Sequence, residues 1–214
     1  MAAILSIEEI ATELASCEVI LPPPALEKLT VYLELLVRWN QRSNLTGLRE
    51  PRLIMRRLFG ESLYLANILD LKGWLVDVGS GAGFPGLALK LAAPELRVSL
   101  VEPRRRKAAF LKEVIRECGI TITDVVIDRF EPWAEGLREG CPEIITTRAV
   151  GLSDKLLSSI ARALAPAGIV VLLTTRKIAH SIREEGGQFS WRDSVTIPFH
   201  DGSVVLVGEK AKPV

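Results

Sequence analysis

One stretch limits the possible folds more than any other: Asp77-Val78-Gly79-Ser80-Gly81-Ala82-Gly83-Phe84-Pro85-Gly86. It follows the short apolar run Trp74–Val78 and opens a helical pattern over residues 86–93. Glycines so closely spaced permit a tight turn and let a ligand approach the backbone, and the helix behind them offers free amides. A strand, a glycine loop and a helix form one βα unit, and the sequence repeats the theme. Apolar runs at 97–101, 125–127, 143–147 and 169–173 alternate with helical patterns at 104–117 and 153–164. Strands that are nearly all apolar, alternating with helices, predict a mostly parallel sheet covered on both faces. Val195–Ile197 and Ser203–Gly208 flank Pro198-Phe199-His200-Asp201-Gly202, which reads as a hairpin with an Asp-Gly turn. The expectation is an α/β chain with a seven-stranded sheet, closed by a C-terminal antiparallel hairpin.

The first third is helical. Ser6-Ile7-Glu8-Glu9 is a capping box. Pro22-Pro23-Pro24 is expected to end that element. A second helix carries Leu26, Leu29, Leu33, Leu36 and Val37 at helical spacing, and a third is expected from Pro51 to about Asp70. Residues 1–72 therefore read as an N-terminal helical extension packed on the core, and residues 73–214 as the core itself.

The charges nearly cancel, 27 Lys and Arg against 26 Asp and Glu, which excludes a uniformly basic nucleic-acid binder. Their distribution is uneven. Residues 1–37 hold six acids and one base, whereas residues 38–57 hold six arginines and one acid. Arg52 and Arg56, with Arg57 beside them, form a basic stripe suited to phosphates. Arg104-Arg105-Arg106-Lys107 is a second basic run, placed to cap, pack or steer. Cys17, Cys118 and Cys141 are scattered, and only His180 and His200 could join them, so no metal site is expected. The sequence has no secretion signal and no apolar run of the ~18 residues that a membrane span needs. A cytoplasmic protein with reduced thiols is expected.

Two ligand classes suit the loop. Gly81 to Gly86 fits G-x-G-x-x-G, and Glu102 lies 21 positions after Gly81, which is the dinucleotide spacing. The rival pattern, Asp-x-Gly-x-Gly-x-Gly, resembles the loop of S-adenosylmethionine-dependent methyltransferases. Asp77 favours the second, because a carboxylate beside the loop repels a pyrophosphate and attracts an ammonium or sulfonium. Glu102 can accept both ribose hydroxyls in either case.

Five motifs in order carry a wider resemblance. They are Trp39-Asn40 with Asn44-Leu45-Thr46, the loop Gly79–Gly86, Arg106-Lys107-Ala108-Ala109-Phe110-Leu111, Arg129-Phe130-Glu131 and Thr147-Arg148-Ala149. Together they resemble the bacterial small-subunit ribosomal RNA guanine-N7 methyltransferases, the RsmG or GidB family. The resemblance implies a Rossmann-like class I methyltransferase fold and S-adenosylmethionine as cofactor. It implies donor contacts from Gly79, Gly81, Phe84, Glu102, Phe130, Glu131 and Arg148, to which the loop reading adds Asp77 and Gly83. Phe84 is expected as an apolar lid. Asn44, Arg52, Arg56 and Arg57 are the candidates for RNA, and the implied partner is small-subunit ribosomal RNA or the 30S subunit, met by a monomer. Two positions depart from the family pattern. R-H-x-x-D-S is here Arg57-Leu58-Phe59-Gly60-Glu61-Ser62, and the Lys-Gly ending the fifth strand is Thr174-Thr175, with Arg176-Lys177 next as the substitute cations.

The chemistry fits what is missing. Guanine N7 has a free lone pair, so its methylation needs positioning and desolvation but no general base. The chain lacks the Asn/Asp-Pro-Pro-aromatic of amino methylation after the fourth strand, and Cys141 lies at the wrong strand end for a nucleophile. Arg148 can position but cannot act as a base. Three alternatives remain: a catalytically divergent donor- or RNA-binding module, a methyltransferase with another RNA or small-molecule acceptor, and a nicotinamide oxidoreductase.

Overall fold

Alternation along the strands divides the molecule into two apolar layers. In the computed structural model, which describes residues 4–137, 141–148, 151–185 and 187–210, Leu75 faces one layer while Trp74, Val76 and Val78 face the other. The same two-residue period separates Val171 and Leu173 from Val170 and Leu172. The strands are β1 (Trp74–Val78), β2 (Arg97–Val101), β3 (Thr123–Val126), β4 (Ile144–Arg148), β5 (Ile169–Thr175), β6 (Phe189–Trp191), β7 (Val195–Thr196) and β8 (Ser203–Lys210). Their order is β3-β2-β1-β4-β5-β8-β6, with β7 also paired to β8. The pairings from β3 to β5 are parallel, and those of β8 are antiparallel.

The parallel core and the terminal hairpin match the pattern of apolar runs. The number of strands differs by one. Phe189–Trp191 pairs with Gly208–Lys210 before Val195–Thr196 pairs with Val204–Val205. One edge path along β8 is thus interrupted at Asp193 and Ser194, after the Arg192 amide has bonded to the Val207 carbonyl. Three residues with a single buried side chain carry too little pattern to be read as a strand.

The helices are α1 (Ile7–Ala15), α2 (Pro23–Ser43), α3 (Pro51–Ile54), α4 (Glu61–Tyr64), α5 (Gly86–Ala92), α6 (Arg105–Glu117), α7 (Phe130–Glu135), α8 (Asp154–Ala163) and α9 (Arg176–Glu185). The Ser6–Glu9 capping box forms in full at the start of α1. The prolines act differently from the expectation. The first helix stops at Ala15, and Pro23 and Pro24 begin α2, where the first turn needs no amide donors. The third helix is one helical path from Pro51 to Asn67, but a π-helical turn, Met55–Gly60, joins α3 to α4, and a 3-10 turn, Leu65–Asn67, ends it.

The N-terminal helices share a single core with α5, α6 and one sheet face, and α7, α8 and α9 cover the other face. Tyr32 of α2 is the main tie. Its ring is fully buried, stacked on Phe84 at 5.6 Å and edge-on to Phe59 at 4.9 Å. Its hydroxyl donates to the carbonyl of Ala82 inside the glycine loop. Gly83 has φ +93°, and a Cβ there would lie 2.1 Å from that hydroxyl, so only glycine fits beneath Tyr32. Further along α2, Trp39 meets Phe110 at 5.7 Å.

Gly83→Ala should destabilise the fold by about 2–4 kcal/mol, combining overpacking with a strained backbone. Tyr32→Phe should cost about 1 kcal/mol for the missing hydrogen bond. Urea unfolding of the double variant should show coupling, the penalty of the methyl group at position 83 shrinking once the hydroxyl is gone. Strict additivity would show that the hydroxyl does not hold the loop.

Candidate active site

Strand register assembles the site. In the order β2-β1-β4-β5, Val78 pairs with Val101 on one side and Thr147 on the other, and Arg148 pairs with Leu173. Glu102, Gly79, Arg148 and Thr174 therefore lie side by side along the carboxyl edge of the sheet, with neighbouring strands about 4.8 Å apart. The strand order reverses between β1 and β4, which is where open α/β sheets bind ligands.

The buried Glu102 carboxylate holds the loop open. One oxygen accepts the Gly81 amide at 2.9 Å and the other the Arg104 amide at 2.9 Å. Gly81 has φ +57°, and a Cβ there would meet nothing closer than 3.7 Å, so the loop backbone is open at this point. An accessible backbone beside a carboxylate at the end of β2 fits the ribose and methionine portions of S-adenosylmethionine.

Asp77 has a different part from the one expected. It is wholly buried, and its two oxygens accept the Gly86 amide at 3.1 Å and the Thr146 hydroxyl at 2.9 Å. Burial pushes its carboxyl up to about 6, against the opposing pull of these hydrogen bonds. Asp77 therefore staples the far end of the loop to β4, and with no exposed surface its carboxylate faces the protein interior rather than the open backbone at Gly81. The expected lid is also absent. The Phe84 side chain is buried between Tyr32 and Phe59, leaving only its backbone near the loop. Phe130 begins α7 and packs on Trp133 at 5.9 Å in the second apolar layer, while Glu131 is half-buried beside it. Ala149 of the Thr-Arg-Ala motif lies outside the described residues.

Arg148 ends β4 with its side chain largely buried. Its Nη2 donates to the carbonyl of Arg57 at 2.7 Å and pairs with the buried Glu61 carboxylate at 2.9 Å. Its Nη1 is buried with no hydrogen-bond partner among the described residues. Burial lowers the Arg148 pKa, and the Glu61 charge opposes that shift. A cleft of about 930 Å³ opens beside it, bordered by Arg57, Glu61, Thr174, Lys177 and His200. Arg176 and Lys177, which follow the position of the family lysine, are both on this border.

The arginine stripe is not free for phosphates. Arg52 binds Glu13 at 2.6 Å and also Glu9, and Arg56 binds Glu13 at 2.5 Å. Burial pushes the Glu13 carboxyl up, but the hydrogen bonds and charges of Arg56 and Arg52 outweigh it and hold it below the usual range. The acidic first helix thus neutralises the basic segment within the same chain. Arg106 is also engaged, donating to the Arg42 carbonyl at 2.6 Å and the Ser43 hydroxyl at 2.9 Å at the end of α2. The Trp-Asn motif is structural: Asn40 is buried and bridges the Leu48 carbonyl and the Thr46 amide, while Asn44 is an exposed left-handed cap.

His200 is the residue that sequence reasoning missed, and Glu61, singled out only as a departure from the family motif, was not foreseen as the partner of Arg148. For Glu61 the one-turn spacing from Arg57 was a visible signal of an ion pair. His200 is brought in by the hairpin turn and had no such signal. Among the described residues no cluster of His, Cys, Asp or Glu could hold a metal ion, and no helix is long and apolar enough to cross a membrane.

A family model described as rRNA small subunit methyltransferase G (GidB) matches residues 25–200. The chain is 35% identical over 173 residues to the ribosomal RNA small subunit methyltransferase G of Halorhodospira halophila, covering 81% of this chain and 80% of that protein. It is 30% identical to the protein of the same name from Geobacillus kaustophilus, over 88% of this chain and 84% of that one. Among solved structures, a SAM dependent methyltransferase from Aquifex aeolicus superposes with a TM-score of 0.61, covering 79% of this chain and 98% of that chain at 14% identity, a likeness of fold alone. With the family model spanning most of the chain and relatives matching over most of their own length, the chain belongs to the GidB family, the S-adenosylmethionine-dependent rRNA small subunit methyltransferases G.

Proposed function

We propose that the protein methylates N7 of a guanine in small-subunit ribosomal RNA, as the free RNA or within the 30S subunit, and that it acts as a monomer. The observation that carries this reading is the row formed by the glycine loop, Glu102 and Arg148, with a cleft of about 930 Å³ opening at the Arg148 end. A cleft of that size accommodates a nucleotide.

S-adenosylmethionine supplies an electrophilic methyl group on its sulfonium. Gly79 and Gly81 provide the backbone against which it rests, while Gly83 is buried beneath Tyr32 and shapes the turn; Glu102 accepts the ribose hydroxyls, and the Phe130–Glu131 stretch borders the adenine. Arg148 holds the acceptor end of the site. None of these groups needs to remove a proton, because guanine N7 attacks with a lone pair it already has. The work of the site is alignment and exclusion of water.

RNA phosphates are best served by cations that the fold leaves uncommitted. Arg104, Arg105 and Lys107 lie on the donor flank, and Arg176 and Lys177 border the acceptor cleft, where Arg57 is already paired with Glu61. This support favours them over Arg52 and Arg56, whose guanidinium groups are paired with Glu9 and Glu13.

Incubation with labelled S-adenosylmethionine and unmodified bacterial 30S subunits or their RNA should place the label on one guanine, and 7-deazaguanine at that position should abolish transfer. Undiminished transfer to the deaza RNA would exclude N7. Gly81→Arg should remove donor binding, measured by calorimetry, by filling the open backbone face while the fold survives. Unchanged donor affinity would relocate the donor site.

Replacing Arg176 and Lys177 together by Gln should weaken RNA binding and flatten its dependence on log salt by about 0.7 for each phosphate no longer neutralised, with donor affinity unchanged. Arg52→Gln should instead lower the melting temperature and leave RNA affinity nearly intact. An equal drop of RNA affinity in Arg52→Gln, read by fluorescence anisotropy, would return the stripe to the interface.

A further inference from the structure

The β7–β8 turn is fastened to the acceptor side of the site at three points. Ile197 is buried, Phe199 meets Tyr64 of α4 edge-on at 5.8 Å, and the His200 imidazole faces Glu61 through Nδ1. The same Nδ1 lies 2.7 Å from the Ser203 hydroxyl, which fixes the ring within its own turn. The Gly202 carbonyl also accepts the Arg176 amide at 3.3 Å, so the turn ties the start of α9 to α4 across the cleft.

Glu61 is the hub of this arrangement. Its carboxylate is almost wholly buried, with Arg148 on Oε2 and both His200 and Arg57 toward Oε1. Arg57 is the weaker of the last two, 3.3 Å away and half-exposed. His200 is therefore the inner neighbour of Oε1, and the Glu61 carboxylate has Arg148 on its other oxygen. Glu61 and Arg148 each contribute a buried atom without a hydrogen bond of good geometry among the described residues, Oε1 and Nη1. Buried groups in that condition are where a ligand or a shift of one side chain completes the network.

We infer that His200 is a positioning residue for methyl transfer: through the Glu61 carboxylate it sets the Arg148 guanidinium, leaving the Nη1 donor for the acceptor base. The inference rests on the methyl-transfer reading above. It requires the Nδ1 nitrogen and not merely the bulk of the ring. Asp201 and Lys177 also border the cleft, but neither forms an ion pair with Glu61.

The test uses His200→Phe, which keeps the ring volume, and His200→Asn, which keeps a nitrogen near the Nδ1 position. Methyl transfer to 30S subunits should fall about tenfold in kcat for His200→Phe, with KM for S-adenosylmethionine within twofold of wild type. His200→Asn should recover to within about threefold. The Arg148 Nε–H resonance in a ¹⁵N NMR spectrum, recorded without RNA, should shift in His200→Phe and return in His200→Asn. Its dispersion also reports whether each variant is folded. Wild-type kcat in His200→Phe, or an Arg148 resonance indifferent to both substitutions, would overturn the inference. Inactive wild-type protein would count against the guanine-N7 reading, and the Arg148 resonance alone would then decide whether His200 sets Arg148.

Discussion

The hydroxyl of Tyr32 against the glycine loop is the interaction on which the rest of the molecule depends. A loop with so many glycines has a large conformational entropy to lose, and its own turns recover little of it. The strand before it and the helix after it are each held by hydrogen bonds of their own. The loop between them is held from outside, by Tyr32 at Ala82, by Asp77 at Gly86 and by Glu102 at Gly81. Tyr32 belongs to the N-terminal helices, so those helices form part of the glycine loop's support. Phe84 and Phe59 complete the aromatic cluster that seats the ring.

Electrostatics tie the same helices down a second time. Glu13 is buried against two half-exposed arginines, a geometry in which removing one partner costs more than the pair contributes. The uneven charge along the first 57 residues is thus largely an internal matter, the acids of α1 meeting the arginines of the Pro51–Asn67 path. The same pattern in sequence suits an anionic partner equally well, because spacing along a helix says which residues share a face but not what that face meets. Arg106 makes the same point, since it caps α2 while its neighbours Arg104 and Arg105 remain exposed.

Positions set by backbone geometry were the most legible. The glycine loop, Glu102 and Arg148 follow from their positions at strand ends, and a parallel sheet brings strand ends together at one edge whatever else varies. Side-chain direction was less legible. Phe84 and Asp77 belong to the loop in sequence, yet both turn inward, one into an aromatic cluster and the other onto Thr146. A motif is compatible with either orientation, because the backbone that binds and the side chain that packs belong to the same residue. The departures at Leu58 and Glu61 are likewise clearer in three dimensions, where Glu61 holds Arg148 and His200 approaches from the hairpin turn.

By itself the sequence determined the α/β class, the parallel core, the terminal hairpin, the capping box of α1 and the place of the glycine loop. All of these are local: they depend on hydrophobic period, turn chemistry and the spacing of a few residues, and those are carried by neighbours in the chain. The tertiary structure alone decided that Tyr32 closes on Gly83, that Glu13 claims Arg52 and Arg56, and that Glu61 joins Arg148 to His200. These pairings link residues far apart in the chain. Which of several suitable partners a buried charge or ring meets is settled only when the packed layers bring one of them within reach.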